Sequence, residues 1–193
     1  LQTFAALAVS SIAGYGFEIY HDKAKDTVMA ILMLAMMVPF VAVLVPLFQM
    51  FTKAKLINSW TGFILPSIAT PFLIMYFRNS ARSFPRDTLE AARIDGLNEF
   101  QIFIRMFIPM MKPTYASAAT ITFMGAWNAY LWPKVVMQTN EAITMPMLVA
   151  NTMGGYVIDY GVVMAAVTIC SLPTVIIFCL QKSFTNAVAG AVK

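Results

Sequence analysis

Thr27 to Phe51 is one apolar run without a charged residue. Its length exceeds the ~20 residues a helix needs to cross the hydrocarbon of a bilayer. Four more segments are similarly apolar: Leu1–Phe17, Thr61–Phe77, Thr114–Trp132 and Tyr160–Leu180. A soluble domain averages ~25% charged residues, whereas this chain has 11% and is 60% hydrophobic. Its own core cannot take up so much apolar surface, and a bilayer is the simple alternative. We therefore expect an all-α fold: a polytopic transmembrane helical bundle forming one domain, with the five segments as spans. Leu1–Phe17 lacks an initiating Met and a basic n-region, so it does not read as a signal peptide. It reads as a span entered part-way, with further chain expected before Leu1.

Prolines at 39, 46, 66, 71 and 173 lie inside these segments. Each should kink its helix, which membrane helices tolerate when neighbours satisfy the freed carbonyls. Trp60, Trp127, Tyr130 and Trp132 sit where interfacial aromatic anchors are expected. Asn128 is the one amide expected to be buried, facing either a pathway or a neighbouring helix. The two cysteines, Cys170 and Cys179, fall on opposite faces of one helix at ~100° per residue, which excludes a mutual disulfide or shared metal site. His21 stands alone beside Asp22 in a polar turn and should be solvated. No Walker A pattern occurs, so the chain should not hydrolyse nucleotide by itself.

The net charge of +4 could suggest nucleic acid, but its distribution argues against that. If residues 18–26, 78–112 and 181–193 are cytoplasmic, every Lys and Arg except Lys53, Lys55 and Lys134 falls inside. That is the pattern of the positive-inside rule. No ionisable residue lies deep in a span, whereas ion-coupled carriers usually keep such groups at membrane depth. The driving energy should therefore come from a partner.

The longest polar interruption, Pro85 to Pro113, reads as two short helices joined by a turn. Pro85 suits the first turn of a helix. Asp87 and Glu90 suit the positive end of its dipole. Gly96 suits a left-handed stop. Asn98 and Gln101 have capping-box spacing. From these residues alone, an amphipathic helix lying on the lipid surface through Arg86 and Arg93 is as good a reading as a protein-docking loop.

Glu90-Ala91-Ala92, Gly96 and Ile108-Pro109 together resemble the EAA signature of permease subunits of binding-protein-dependent ABC importers. The string from Trp127-Asn128 to Leu131-Trp132-Pro133 resembles an element of the carbohydrate, maltose-type family, and Gln181–Lys193 resembles the end of that family's second permease subunit. The resemblance covers essentially the whole chain and is weakest before Thr27. It implies a type I importer permease fold in the bacterial inner membrane, with a cytoplasmic helix-turn-helix coupling loop over 78–112. Glu90, Ala91, Ala92, Arg93, Asp95 and Gly96 would meet an ATPase subunit. Ala189, Gly190 and Val192 would reach the same interface from a cytoplasmic C-terminal tail. Gly154 and Gly155, in the outer loop 134–159, would meet an extracytoplasmic solute-binding protein. Asn128 and Trp127 would line the substrate pathway. The implied partners are two ATPase subunits, a sister permease, the binding protein and lipid; the chain itself would hold no cofactor or metal, with ATP–Mg on the ATPases. A neutral sugar, oligosaccharide or polyol would be the solute. The rival readings are an amino-acid or phosphate ABC permease, an intramembrane enzyme and a membrane scaffold. The enzyme reading lacks a His or carboxylate at depth to activate a nucleophile.

Overall fold

A computed structural model describes residues 1–139, 143–154 and 158–190, with backbone alone from 180 to 190. All regular structure among these residues is helical. Contacts divide the chain into two compact units.

The first unit comprises Leu1, Thr3–Val38 and Ser67–Ala119. It contains α1 (Gln2–Ile19), α2 (Lys23–Ala35), α5 (Pro71–Ala81), α6 (Arg86–Ile94), α7 (Glu99–Ile102), α8 (Ile108–Met110) and the start of α9 (Lys112–Trp127). Small residues let α1 pack closely: Ala6, Ser10 and Gly14 recur every four residues and are all buried. A Cβ on Gly14 would lie 2.6 Å from Phe77 Cβ and 2.7 Å from the Arg78 nitrogen, so α1 and α5 meet backbone to backbone there. Small-residue contacts of this kind replace the hydrophobic driving force that helices lack in lipid. Ala6, Leu73, Phe77 and Ala118 form one apolar cluster at this junction.

The second unit comprises Gln2, Pro39–Pro66 and the chain from Thr120 onward. It holds α3 (Phe40–Lys53), α4 (Trp60–Ile64), the rest of α9, α10 (Leu131–Val136), α11 (Met145–Met153) and α12 (Tyr160–Gly190). Its core is Phe51, Trp132, Val136 and Met137. Trp132 is therefore a buried packing residue and not an interfacial anchor. Its ring lies 5.1 Å from that of Phe51, and its indole N–H donates to the Gly62 carbonyl at 3.1 Å. Trp60 is exposed, as an anchor would be.

Several apolar segments are not single helices. The run 27–51 breaks between Ala35 and Phe40, where Pro39 takes an extended backbone and caps α3. Pro39 thus interrupts the segment outright, while Pro46 is accommodated inside α3. The segment 114–132 stops being helical after Trp127 and resumes at Leu131. Among the described residues, one helix is long and apolar enough to cross a membrane alone, over Tyr160–Cys179; the pairs Lys23–Ala35 with Phe40–Lys53 and Trp60–Ser67 with Pro71–Ala81 qualify only when each is taken together. Exposed side chains such as Ile31, Leu34, Val41, Met164 and Phe178 leave apolar surface that water would not favour.

Candidate functional site

The loop after α5 is built by local signals that act in sequence. Pro85 has an extended backbone and caps α6, one position earlier than expected. Asp87 lies in the first turn, where the helix dipole favours an acid. The helix ends in a Schellman motif: the Leu97 N–H donates to the Ala92 carbonyl and the Gly96 N–H to the Arg93 carbonyl, both at 3.1 Å. Gly96 has φ +80, the left-handed conformation that closes such a motif. Asn98 and Gln101 then open α7 with a complete capping box, each side chain accepting the other's backbone N–H at 2.9 Å. The helix widens into a π turn over Phe103–Phe107. Pro109 favours that widening, because its ring would clash with the carbonyl four residues back in a regular α-helix.

Helix α6 divides cleanly into two faces. Leu89 and Ala92 are buried, while Glu90, Ala91, Arg93, Ile94, Asp95 and Gly96 face outward. Ala92 lies three residues after Leu89 and shares its inward face, so of the two alanines Ala91 is the one on the outer face. Ile94, 86% exposed, joins Ala91 on the outer face, and Phe100 is exposed as well. Beneath them lies a core of Tyr15, Ala81, Phe84, Leu89, Ala92, Ile102, Phe103, Phe107 and Met111. Tyr15 comes from α1, and its ring packs edge-on against Phe103 at 5.2 Å and Phe107 at 4.9 Å.

Two polar clusters tie this module together. Arg93 Nε donates to Glu99 Oε1 at 2.8 Å, so Arg93 is already paired within the loop. Burial pushes the Glu99 carboxyl up, but hydrogen bonds from Tyr20 and Arg93 outweigh that and hold it below its ordinary value. At the ends of α1, α2 and α5, the nearly buried Arg78 donates to Glu18 Oε2 at 3.3 Å and to Asp26 Oδ1 at 2.5 Å. Burial works against the Arg78 charge, yet the bonds to Asp26 and Glu18 leave its pKa raised. Arg82 reaches Glu18 at 3.4 Å. His21 Nε2 meets Asp26 Oδ2 at 3.0 Å and stays half-exposed, so it is paired and not merely solvated. Tyr15, Glu18, Asp26 and Glu99 were missed in the sequence because their partners are far away along the chain.

In the second unit the Trp127 indole N–H donates to the Cys170 carbonyl at 2.9 Å. Asn128 is exposed, not buried, and its side-chain amide donates to the Met124 carbonyl of the helix it follows at 2.9 Å. It lines a groove of about 430 Å³ with Pro146, Val149, Val167, Ser171 and Thr174. The described lining is mostly apolar, with Asn128, Ser171 and Thr174 adding an amide and two hydroxyls and no charged side chain among the described residues. Gly154 ends α11 with a negative φ, a backbone open to any residue. Gly155 lies outside the described residues. The tail, which alone reads as a disordered end, is helical through Ala189 and Gly190; Val192 lies outside the described residues.

This is a helical membrane protein that presents an exposed, rigidly capped helix on one loop. Residues 6–189 match the family described as the binding-protein-dependent transport system inner membrane component. The lactose transport system permease protein LacG of Rhizobium radiobacter is 41% identical over 192 residues, spanning 99% of this chain and 70% of that protein. The arabinooligosaccharides transport system permease protein AraQ of Bacillus subtilis (strain 168) is 35% identical over 193 residues, spanning 99% and 69%. A solved bacterial ABC transporter involved in the import of the acidic polysaccharide alginate superposes over 94% of this chain and 74% of that chain, with TM-score 0.78 at 20% identity; at that identity the likeness speaks for fold alone. The chain belongs to the inner-membrane component family of binding-protein-dependent transport systems. It is a permease subunit of an ABC importer with the type I permease fold.

Proposed function

We propose that this subunit forms half of the translocation pathway for a neutral sugar, oligosaccharide or polyol. The relatives named for lactose and arabinooligosaccharides support the solute class, and the amide and hydroxyls of Asn128, Ser171 and Thr174 in a mostly apolar groove are compatible with it. In this reading a sister permease supplies the other half and an extracytoplasmic binding protein delivers the solute near Gly154 and Gly155. Two ATPase subunits hydrolyse ATP–Mg, and this chain holds no cofactor. The loop 78–112 and the tail with Ala189, Gly190 and Val192 lie on the cytoplasmic side and meet those ATPases. The five apolar segments are the spans, three of them broken, with Asn128 and Trp127 along the pathway.

The observation that carries the proposal is the outer face of α6. Ile94 and Ala91 are exposed apolar side chains, flanked by Glu90 and Asp95, and the helix beneath them is pinned by a Schellman motif and a buried core. An apolar patch with a charged rim on a rigid helix suits docking into a groove on another protein. Rigid-body movement of the docked helix would then switch the pathway between its two openings.

The test is reconstitution with both ATPases, the sister permease and the binding protein, with uptake measured across a panel of labelled neutral sugars. We expect ATP-dependent uptake of at least one sugar, abolished by Glu90→Lys and by Gly96→Pro although both proteins still insert. Normal uptake in both variants removes the docking role. Uptake of amino acids or phosphate in place of sugars assigns the chain to another solute class, and no ATP-dependent uptake favours a scaffold.

A further inference from the structure

We infer that Glu99 is a positioning residue that locks the docking helix α6 to helix α1, so that a displacement imposed on α6 is carried directly into α1. The inference rests on the reading of α6 as the ATPase-docking element. Along the chain, α6 is joined to the apolar segments through α5 on one side and α7 to α9 on the other. Neither connection involves α1. Space provides a third path. Tyr15 enters the loop's own core, 5% exposed, edge-on against the stacked rings of Phe103 and Phe107. Its hydroxyl donates to Glu99 Oε2 at 3.5 Å. The other oxygen of the same carboxylate accepts from Arg93 Nε at 2.8 Å. One carboxylate thus bridges a residue of α1 and a residue on the outer face of α6. Tyr20, the residue that ends α1, lies near enough to this pair to shift the titration of both Arg93 and Glu99.

The geometry is suited to transmitting force. Arg93 sits in the last turn of α6, one residue before Ile94. Glu99 sits at the start of α7, whose capping box fixes its backbone. One face of α1 is gripped twice, because Glu18, one turn beyond Tyr15, holds Arg78 and Arg82. Backbone contact at Gly14 leaves no slack between α1 and α5. Packing that cannot deform continuously passes small shifts on as whole-body motion.

The test uses the full complex, with Cys170→Ser and Cys179→Ser as background. Ile12→Cys on α1 and Arg86→Cys at the start of α6, both exposed and outside the docking patch, take spin labels. Their separation is measured by pulsed dipolar spectroscopy without nucleotide and after trapping with ATP and vanadate. We expect one narrow separation, the same in both states. Glu99→Gln should broaden it and lower the maximal rate of ATP hydrolysis about fivefold, the low end of coupling effects between sites, with the KM for ATP unchanged. Glu99→Asp should restore both readings. Tyr15→Phe, which keeps the packing, should give a smaller broadening in the same direction. A separation that differs between the two states overturns the inference, as does a Glu99→Gln complex with unchanged separation and rate. A rate loss accompanied by an altered KM for ATP, or one that Glu99→Asp fails to restore, also overturns it. Failure of the docking reading itself shows differently: parent complexes would then hydrolyse ATP while a crosslinker at residue 94 captures no ATPase subunit, whatever the separation of 12 from 86.

Discussion

At the scale of single residues, the loop depends on a few backbone and charge requirements. Gly96 holds φ +80 with open space where a Cβ would stand. Gly96→Ala therefore costs conformational strain and no clash, about 1 kcal/mol, seen as a small drop in the thermal midpoint in detergent; no drop would mean that the left-handed turn is not maintained. Asp26 behaves differently. The hydrogen bond from Arg78 holds its carboxyl below the ordinary value of 3.8. A depressed carboxyl contributes stability that is present above its unfolded value and is lost as pH falls through the folded one. The tie between α2 and α5 should thus persist at neutral pH and weaken only below about pH 4. Asp26→Asn should lower the midpoint at pH 7 and lose that difference in acid; a difference that grows in acid would contradict the pairing. Gly96 and the capping box were legible in the sequence because both signals lie within a few residues of their effect. The Tyr15–Glu99 bond was not, since its partners stand 84 residues apart and each reads alone as an ordinary interfacial or helix-start residue.

At the scale of elements, packing decides what hydropathy leaves open. Gly14→Ala should force α1 away from α5, an overpacking cost of about 1–3 kcal/mol, visible as a lower midpoint; an unchanged midpoint would show that the two helices are not in backbone contact. Phe107, fully buried beneath α6, should cost about 3–5 kcal/mol when cut to alanine. The same substitution at exposed Phe100 should leave the fold intact. Hydropathy divides the sequence into apolar segments and a polar loop, because burial in lipid demands length and apolarity. It did not reveal the break before Phe40 or the gap at 128–130. Apolar side chains alone do not distinguish a continuous helix from two helices meeting at a proline. Nor does an aromatic pattern separate a buried Trp132 from an exposed Trp60, since that difference arises from the Gly62 carbonyl and the Phe51 ring.

At the scale of the whole molecule, family membership follows from the match over residues 6–189, and the mechanical reading adds one commitment: the outer face of α6 receives motion generated by another subunit. The proposed solute-facing part was least legible, because uncharged polar side chains such as Asn128 and Thr174 carry no mark in the sequence that separates a pathway from ordinary helix packing. The most direct measurement is site-specific crosslinking at residue 94. With Cys170 and Cys179 replaced by serine, Ile94→Cys carrying a short photoreactive label should capture an ATPase subunit in assembled complexes, in a yield that changes between the nucleotide-free and ATP-trapped states. Capture of lipid alone, or labelling of residue 94 only by impermeant reagent added from outside the cell, would contradict that commitment.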